Sequence, residues 1–83
     1  MGRYFLQLRD HTDETLDPEG VELSDMKAVK KAVLEGARDV LSSELKSQGV
    51  VDLRYRIDAE DRCGEIVHSL PFKDAFEVIS AAA

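Results

Sequence analysis

The stretch Ser24 to Gln48, SDMKAVKKAVLEGARDVLSSELKSQ, decides the fold. Met26, Val29, Val33, Ala37, Val40 and Leu41 recur at helical spacing and share one face, widened by Leu34 and Leu45. Ser24 or Asp25 can accept a hydrogen bond from the free amides of the first turn, and Leu23 can staple the entry. Gly49 supplies a left-handed stop. Gly36, inside the helix, costs roughly 1 kcal/mol relative to Ala. It borders the apolar face, where close packing is the ordinary reason for a glycine. A face this wide needs a sheet or a second helix to cover.

N-terminal to the helix, residues 3–9 (RYFLQLR) read as a strand, with Tyr4, Leu6 and Leu8 on one side and Arg3, Phe5, Gln7 and Arg9 on the other. A polar, acidic segment follows, closing on the turn Asp17-Pro18-Glu19-Gly20. Val21-Glu22-Leu23 reads as a short returning strand. Beyond the helix, Val51, Leu53, Tyr55 and Ile57 alternate with Asp52, Arg54, Arg56 and Asp58, which predicts a third strand. Asp58–Gly64 is then a turn and Glu65–Leu70 a fourth strand. Pro71 opens a short helix carrying Phe72, Ala75, Phe76 and Ile79 at i, i+3, i+4, i+7, and the Ala81–Ala83 tail is expected to fray. The expected fold class is α+β, one domain over residues 1–83. It has a four-stranded, mainly antiparallel sheet in the order ββαββα, with the long helix packed on one face.

Composition bounds the function. With 43% hydrophobic and 34% charged residues, the 83-residue chain is globular rather than disordered. A formal charge of −6 opposes non-specific attraction to nucleic acid or anionic membrane. A single cysteine, Cys63, fits a reducing cytoplasm, and the start lacks the apolar run of a signal peptide. No segment reaches the ~18 apolar residues of a membrane span. A cytoplasmic protein is expected.

Chemistry-bearing motifs are sparse. Cys63 and His68 sit across a predicted hairpin without a third orienting group, so catalysis is not expected. Two histidines and one cysteine lack metal-ligand spacing, and the loop with Asp10, Asp13, Glu14 and Asp17 lacks the EF-hand pattern. His68, alternating with Ile66 and Leu70, reads as a sheet histidine. The five glycines are dispersed, so no phosphate loop exists. No cofactor is expected, and the sequence points to no known small-molecule ligand. One candidate binding surface remains: Arg3, Phe5, Arg9, Arg54 and Arg56 can project together from the second sheet face, cations with an interleaved aromatic. The competing reading makes these arginines solvent-side partners of Asp52, Asp58 and Glu65. The broad helix face adds another possibility, since apolar surface left uncovered by the sheet would seat a protein partner or a second copy.

The segments Arg3-Tyr4-Phe5-Leu6-x-Leu8-Arg9-Asp10, Asp17 to Leu23 and Leu70-Pro71-Phe72-x-Asp74-Ala75 resemble a family of short alphaproteobacterial proteins classed as a domain of unknown function. The resemblance spans nearly the whole chain and implies the long helix after the Gly-Val-Glu-Leu segment. Members often carry His at the position of Gln7 and Gly at that of His11. The family has no established activity. A looser likeness, in element order only, is to antitoxins of the HicB class. The expectation is a small non-catalytic protein acting through a protein partner or itself. The alternative is a nucleic-acid-associated or antitoxin-like regulator.

Overall fold

A computed structural model describes residues 2–81. The elements are β1 (Gly2–Arg9), β2 (Glu14–Thr15), β3 (Val21–Leu23), α1 (Met26–Gln48), β4 (Arg56–Glu60) and β5 (Ile66–Pro71), followed by a 3₁₀ turn at Phe72–Asp74. All pairings are antiparallel. Strand β1 lies at the centre, with β4 along one edge and β5 outside β4. The other edge of β1 is shared, by β2 at Leu8–Arg9 and by β3 at Gly2–Tyr4.

The sheet therefore has five strands, which corrects the expected four-stranded ββαββα layout. Strands β2 and β3 are one returning chain interrupted by an excursion. Leu8 faces Thr15 and Tyr4 faces Val21, so four steps along β1 are matched by six on the returning chain. The two extra residues are absorbed around Asp17-Pro18. There the buried Gln7 side chain replaces the missing ladder, its Oε1 accepting the Asp17 amide at 2.6 Å. The Asp17 carboxylate accepts the Glu19 and Gly20 amides. Gly20 has φ +73°, and a Cβ there would stand 2.8 Å from both the Phe5 ring and the Tyr4 carbonyl. Only glycine fits this corner.

Helix α1 begins and ends as its caps require. The Asp25 carboxylate accepts the Ala28 amide at 2.8 Å, and Gly49 at φ +67° donates its amide to the Leu45 carbonyl. Val29, Val33, Ala37 and Leu41 are buried, forming one core with Ile57, Ala59, Phe72 and Ala75. Tyr4, Leu6 and Leu8 close the core from β1. A Cβ at Gly36 would meet only Ile57 Cδ1, at 3.4 Å, so this glycine is not forced by packing.

Strand β4 lies C-terminal to its predicted place. Asp52 accepts the Arg54 amide at 3.0 Å and chelates its guanidinium at 3.0 and 2.8 Å. This local turn competes with strand pairing and leaves Val51 and Leu53 outside the sheet, both exposed. The hairpin tip is instead set by Asp61, whose carboxylate accepts the Cys63 and Glu65 amides, with Gly64 at φ +80°. Asp58 thus falls inside β4 rather than in a turn.

A register shift at Ala59/Glu60 pairs Ala59 with His68 but Glu60 with Ile66, leaving Val67 as the extra residue of a bulge. The bulge puts Ile66 on the opposite face from His68 and Leu70, so simple alternation fails there. The predicted C-terminal helix is also corrected, to a single 3₁₀ turn. Arg38 Nε donates to the Ala75 carbonyl at 2.8 Å, taking the acceptor that a continuing helix would offer Ile79. Phe72 and Ala75 stay buried, with the Tyr55 and Phe72 ring centroids 5.8 Å apart. Residues 76–81 follow without regular structure. Of the expected frayed tail, Ala82 and Ala83 lie outside the described residues.

Candidate functional site

Two surfaces invite a functional reading, and they differ in chemistry. The first is the sheet face away from α1. Alternation along β1 places Arg3, Phe5, Gln7 and Arg9 there, and β4 contributes Arg56, Asp58 and Glu60. Arg9 is the hub. Its guanidinium meets Glu14 at 2.9 Å, Asp58 at 3.0 Å and Glu60 at 2.7 Å. Those three carboxylates, Glu14 first, hold the Arg9 guanidinium well above its ordinary range.

Asp58 is 1% exposed, the more unusual member of the cluster. Burial pushes its carboxyl up, but donation from Ser69 (2.6 Å), Arg9 (3.0 Å) and Arg56 (3.1 Å) outweighs this and leaves it below the ordinary carboxylate range. It is an ionised carboxylate with its partners in place, not a poised base.

Of the five residues predicted to form a binding surface, four share this face. Arg3 bonds the Glu19 carbonyl at 2.8 Å and Glu22 at 3.1 Å. Phe5 packs against Gly20, Arg9 is the hub, and Arg56 bonds Asp58. Arg54 departs from the group: it lies in the turn before β4 and is bound to Asp52, whose carboxyl it holds down to about 2. Each of the four arginines thus answers to a carboxylate of its own surroundings.

The acidic loop folds on itself. Asp10 accepts the Thr12 and Asp13 amides and the Thr12 hydroxyl, and Asp13 accepts the Glu14 amide. Among the described residues no group of three His, Cys, Asp or Glu is arranged to hold a metal ion. Cys63 is exposed at the hairpin tip, and His68 lies in β5 opposite Ala59. Among the described residues no helix is long and apolar enough to cross a membrane.

The second surface is an apolar groove of about 320 Å³ at the C-terminal end of α1, lined by Arg38, Leu41, Ser42, Leu45, Val51 and Phe76. Helix α1 supplies four of its residues, Val51 comes from the loop carrying the Asp52–Arg54 turn, and Phe76 comes from the chain after Ala75, which does not continue as a helix. Leu45 is 55% exposed, and Val78 and Ile79, just past Phe76, are 75% and 85% exposed. Periodicity placed Leu45 on the broad apolar face of the helix, while Val51 and Phe76 gave no sign of a groove, because they were read into a strand that begins only at Arg56 and a helix that does not form.

No curated protein and no solved structure matches the chain. The profile of the family described as Domain of unknown function (DUF6894) matches residues 3–73. This span runs from the first strand through the 3₁₀ turn and takes in the charged sheet face, the whole helix and the excursion at Asp17–Gly20. The chain belongs to the DUF6894 family, a domain of unknown function.

Proposed function

We propose that this is a small, non-catalytic, bacterial cytoplasmic protein that acts by protein–protein contact, with a second copy or with another protein. The observation that carries the reading is the apolar groove at Leu41, Leu45, Val51 and Phe76, whose lining residues Val51 and Phe76 have exposed Val50, Leu53, Val78 and Ile79 close by in the chain. Apolar surface gathered in one place on a small chain marks an interaction site more often than isolated exposed residues do. Catalysis has less support. Its strongest polar cluster, around Asp58, is spent on internal pairing, and the Asp58 carboxyl is pulled down rather than up, the opposite of a general base tuned for neutral pH.

The nucleic-acid reading of Arg3, Phe5, Arg9, Arg54 and Arg56 is weaker, since a phosphate would have to displace a carboxylate already bonded at each guanidinium. The test uses wild-type chain and Leu45→Asp. Sedimentation across a concentration series, with capture of partners from lysate, should show an associated species that Leu45→Asp removes. Leu45 is half exposed, so the variant keeps its fold by circular dichroism. A monomer at every concentration, with the same captured proteins for both chains, would refute the reading.

A further inference from the structure

We infer that the groove is filled by the Glu77–Ser80 segment of a second copy, exchanged about a two-fold axis. This rests on the reading above that the groove is an interaction surface, and it names the occupant. Two unsatisfied features of the same chain match each other. The groove is apolar with a single charge at its rim, Arg38, and the tail segment Glu77-Val78-Ile79-Ser80 is apolar with a single charge of the opposite sign, Glu77. Arg38 donates its Nε to the Ala75 carbonyl, and its terminal nitrogens have no partner among the described residues. They are the donors that an incoming Glu77 carboxylate would meet. Val78 and Ile79, 75% and 85% exposed, are the aliphatic pair that the groove would take.

The area agrees with a dimer of modest affinity. Leu45, Val50, Val51, Leu53, Val78 and Ile79 are between 40% and 85% exposed. At on the order of 100 Å² per aliphatic side chain, a contact that covered all six in both copies would bury roughly 700 Å² of apolar surface. With a non-polar share near 57%, that corresponds to about 1,200 Å² in all, the lower end of stable interfaces. A reciprocal exchange closes on itself, so it yields a dimer and not a filament.

The experiment places the photo-crosslinker p-benzoylphenylalanine at position 79 in a mixture of ¹⁴N- and ¹⁵N-labelled full-length chains. Sedimentation of wild type and Ile79→Asp accompanies it. The expected result is mixed-isotope peptides joining the tail to the segments carrying Leu41, Leu45 or Val51. Dimerisation should weaken at least tenfold in Ile79→Asp, with its circular dichroism spectrum unchanged because Ile79 supports no core contact. Crosslinks of one isotope only would overturn the proposal, since the tail would then lie in its own groove. A dimer lost in Leu45→Asp but intact in Ile79→Asp would overturn the tail exchange alone and leave the interaction surface standing. A monomer that captures a different protein through Leu45 would overturn the second copy as occupant, and a monomer without any groove-dependent partner would overturn both readings.

Discussion

Replacing Arg9 by Met tests the reasoning about the charged sheet face most directly. Methionine retains the apolar stem and removes the guanidinium, which is 17% exposed and meets three carboxylates. Breaking a buried ion pair from one side costs about 3–5 kcal/mol, because the other charge stays behind unpaired. The low end applies here. Asp58 keeps Arg56 and Ser69 as donors, and Glu14, 49% exposed, is rescued by water. Glu60 fares worst: it is 15% exposed, and its remaining contact is Gln7 Nε2 at 3.5 Å. A loss of about 3 kcal/mol is therefore expected. Against a total of roughly 4–12 kcal/mol for a chain of this length, it lowers Tm by about 12–24 °C. Thermal and urea denaturation at pH 7, followed by circular dichroism, measures it. The double variant Arg9→Met/Glu60→Gln removes the stranded charge and should recover about 1 kcal/mol or more. A loss under about 1 kcal/mol, or no recovery in the double variant, would show that water screens the cluster and would refute the argument.

Other outcomes follow from single residues. Gly20→Ala should destabilise by about 2 kcal/mol or more in urea melts, since it combines a left-handed φ with a Cβ placed 2.8 Å from the Phe5 ring and the Tyr4 carbonyl. Gly36→Ala should stabilise by about 0.5–1 kcal/mol, because the methyl meets Ile57 Cδ1 at an ordinary 3.4 Å and the helix gains propensity; a loss instead would mean that α1 sits closer to β4 than described. The Asp58 carboxyl is depressed below 3.8 in the fold, so its contribution is present above the unfolded value and is lost as pH falls below it toward the folded one. Asp58→Asn should accordingly be less stable than wild type at pH 7, and its stability should fall less steeply between pH 4 and pH 2. Parallel acid limbs would contradict this.

Much of the architecture was legible because its causes are local. Apolar residues at three- and four-residue spacing, an Asp cap and a terminal Gly sufficed for α1, and period-two alternation sufficed for β1 and both its faces. Gly20 and Gly64 marked turns because left-handed backbone is a property of one residue. The candidate arginine face was legible for the same reason as far as Arg3, Phe5, Arg9 and Arg56, which lie in strands. Arg54 was misplaced because Val51–Asp58 matches a strand template as well as any segment of the chain. A local Asp52–Arg54 turn, not hydropathy, excludes it from the sheet.

What the sequence alone determined, then, is what a residue and its near neighbours settle by their own geometry: one capped amphipathic helix, the central strand, the glycine corners and an acidic chain without a metal or phosphate motif. Tertiary structure decided everything that depends on a distant partner competing for a backbone group. Strand β2 exists because two residues with no hydrophobic signal find β1 beside them, and the bulge at Val67 reverses the face of Ile66. At the predicted last helix, Arg38, 37 positions away, bonds the carbonyl of Ala75, and the chain beyond has no regular structure. Phe76 lines the groove, and Val78 and Ile79 stay exposed. The proposed interaction surface is thus a product of packing, since side-chain periodicity reports which face a residue would take in an element, and only the assembled chain determines whether the element forms.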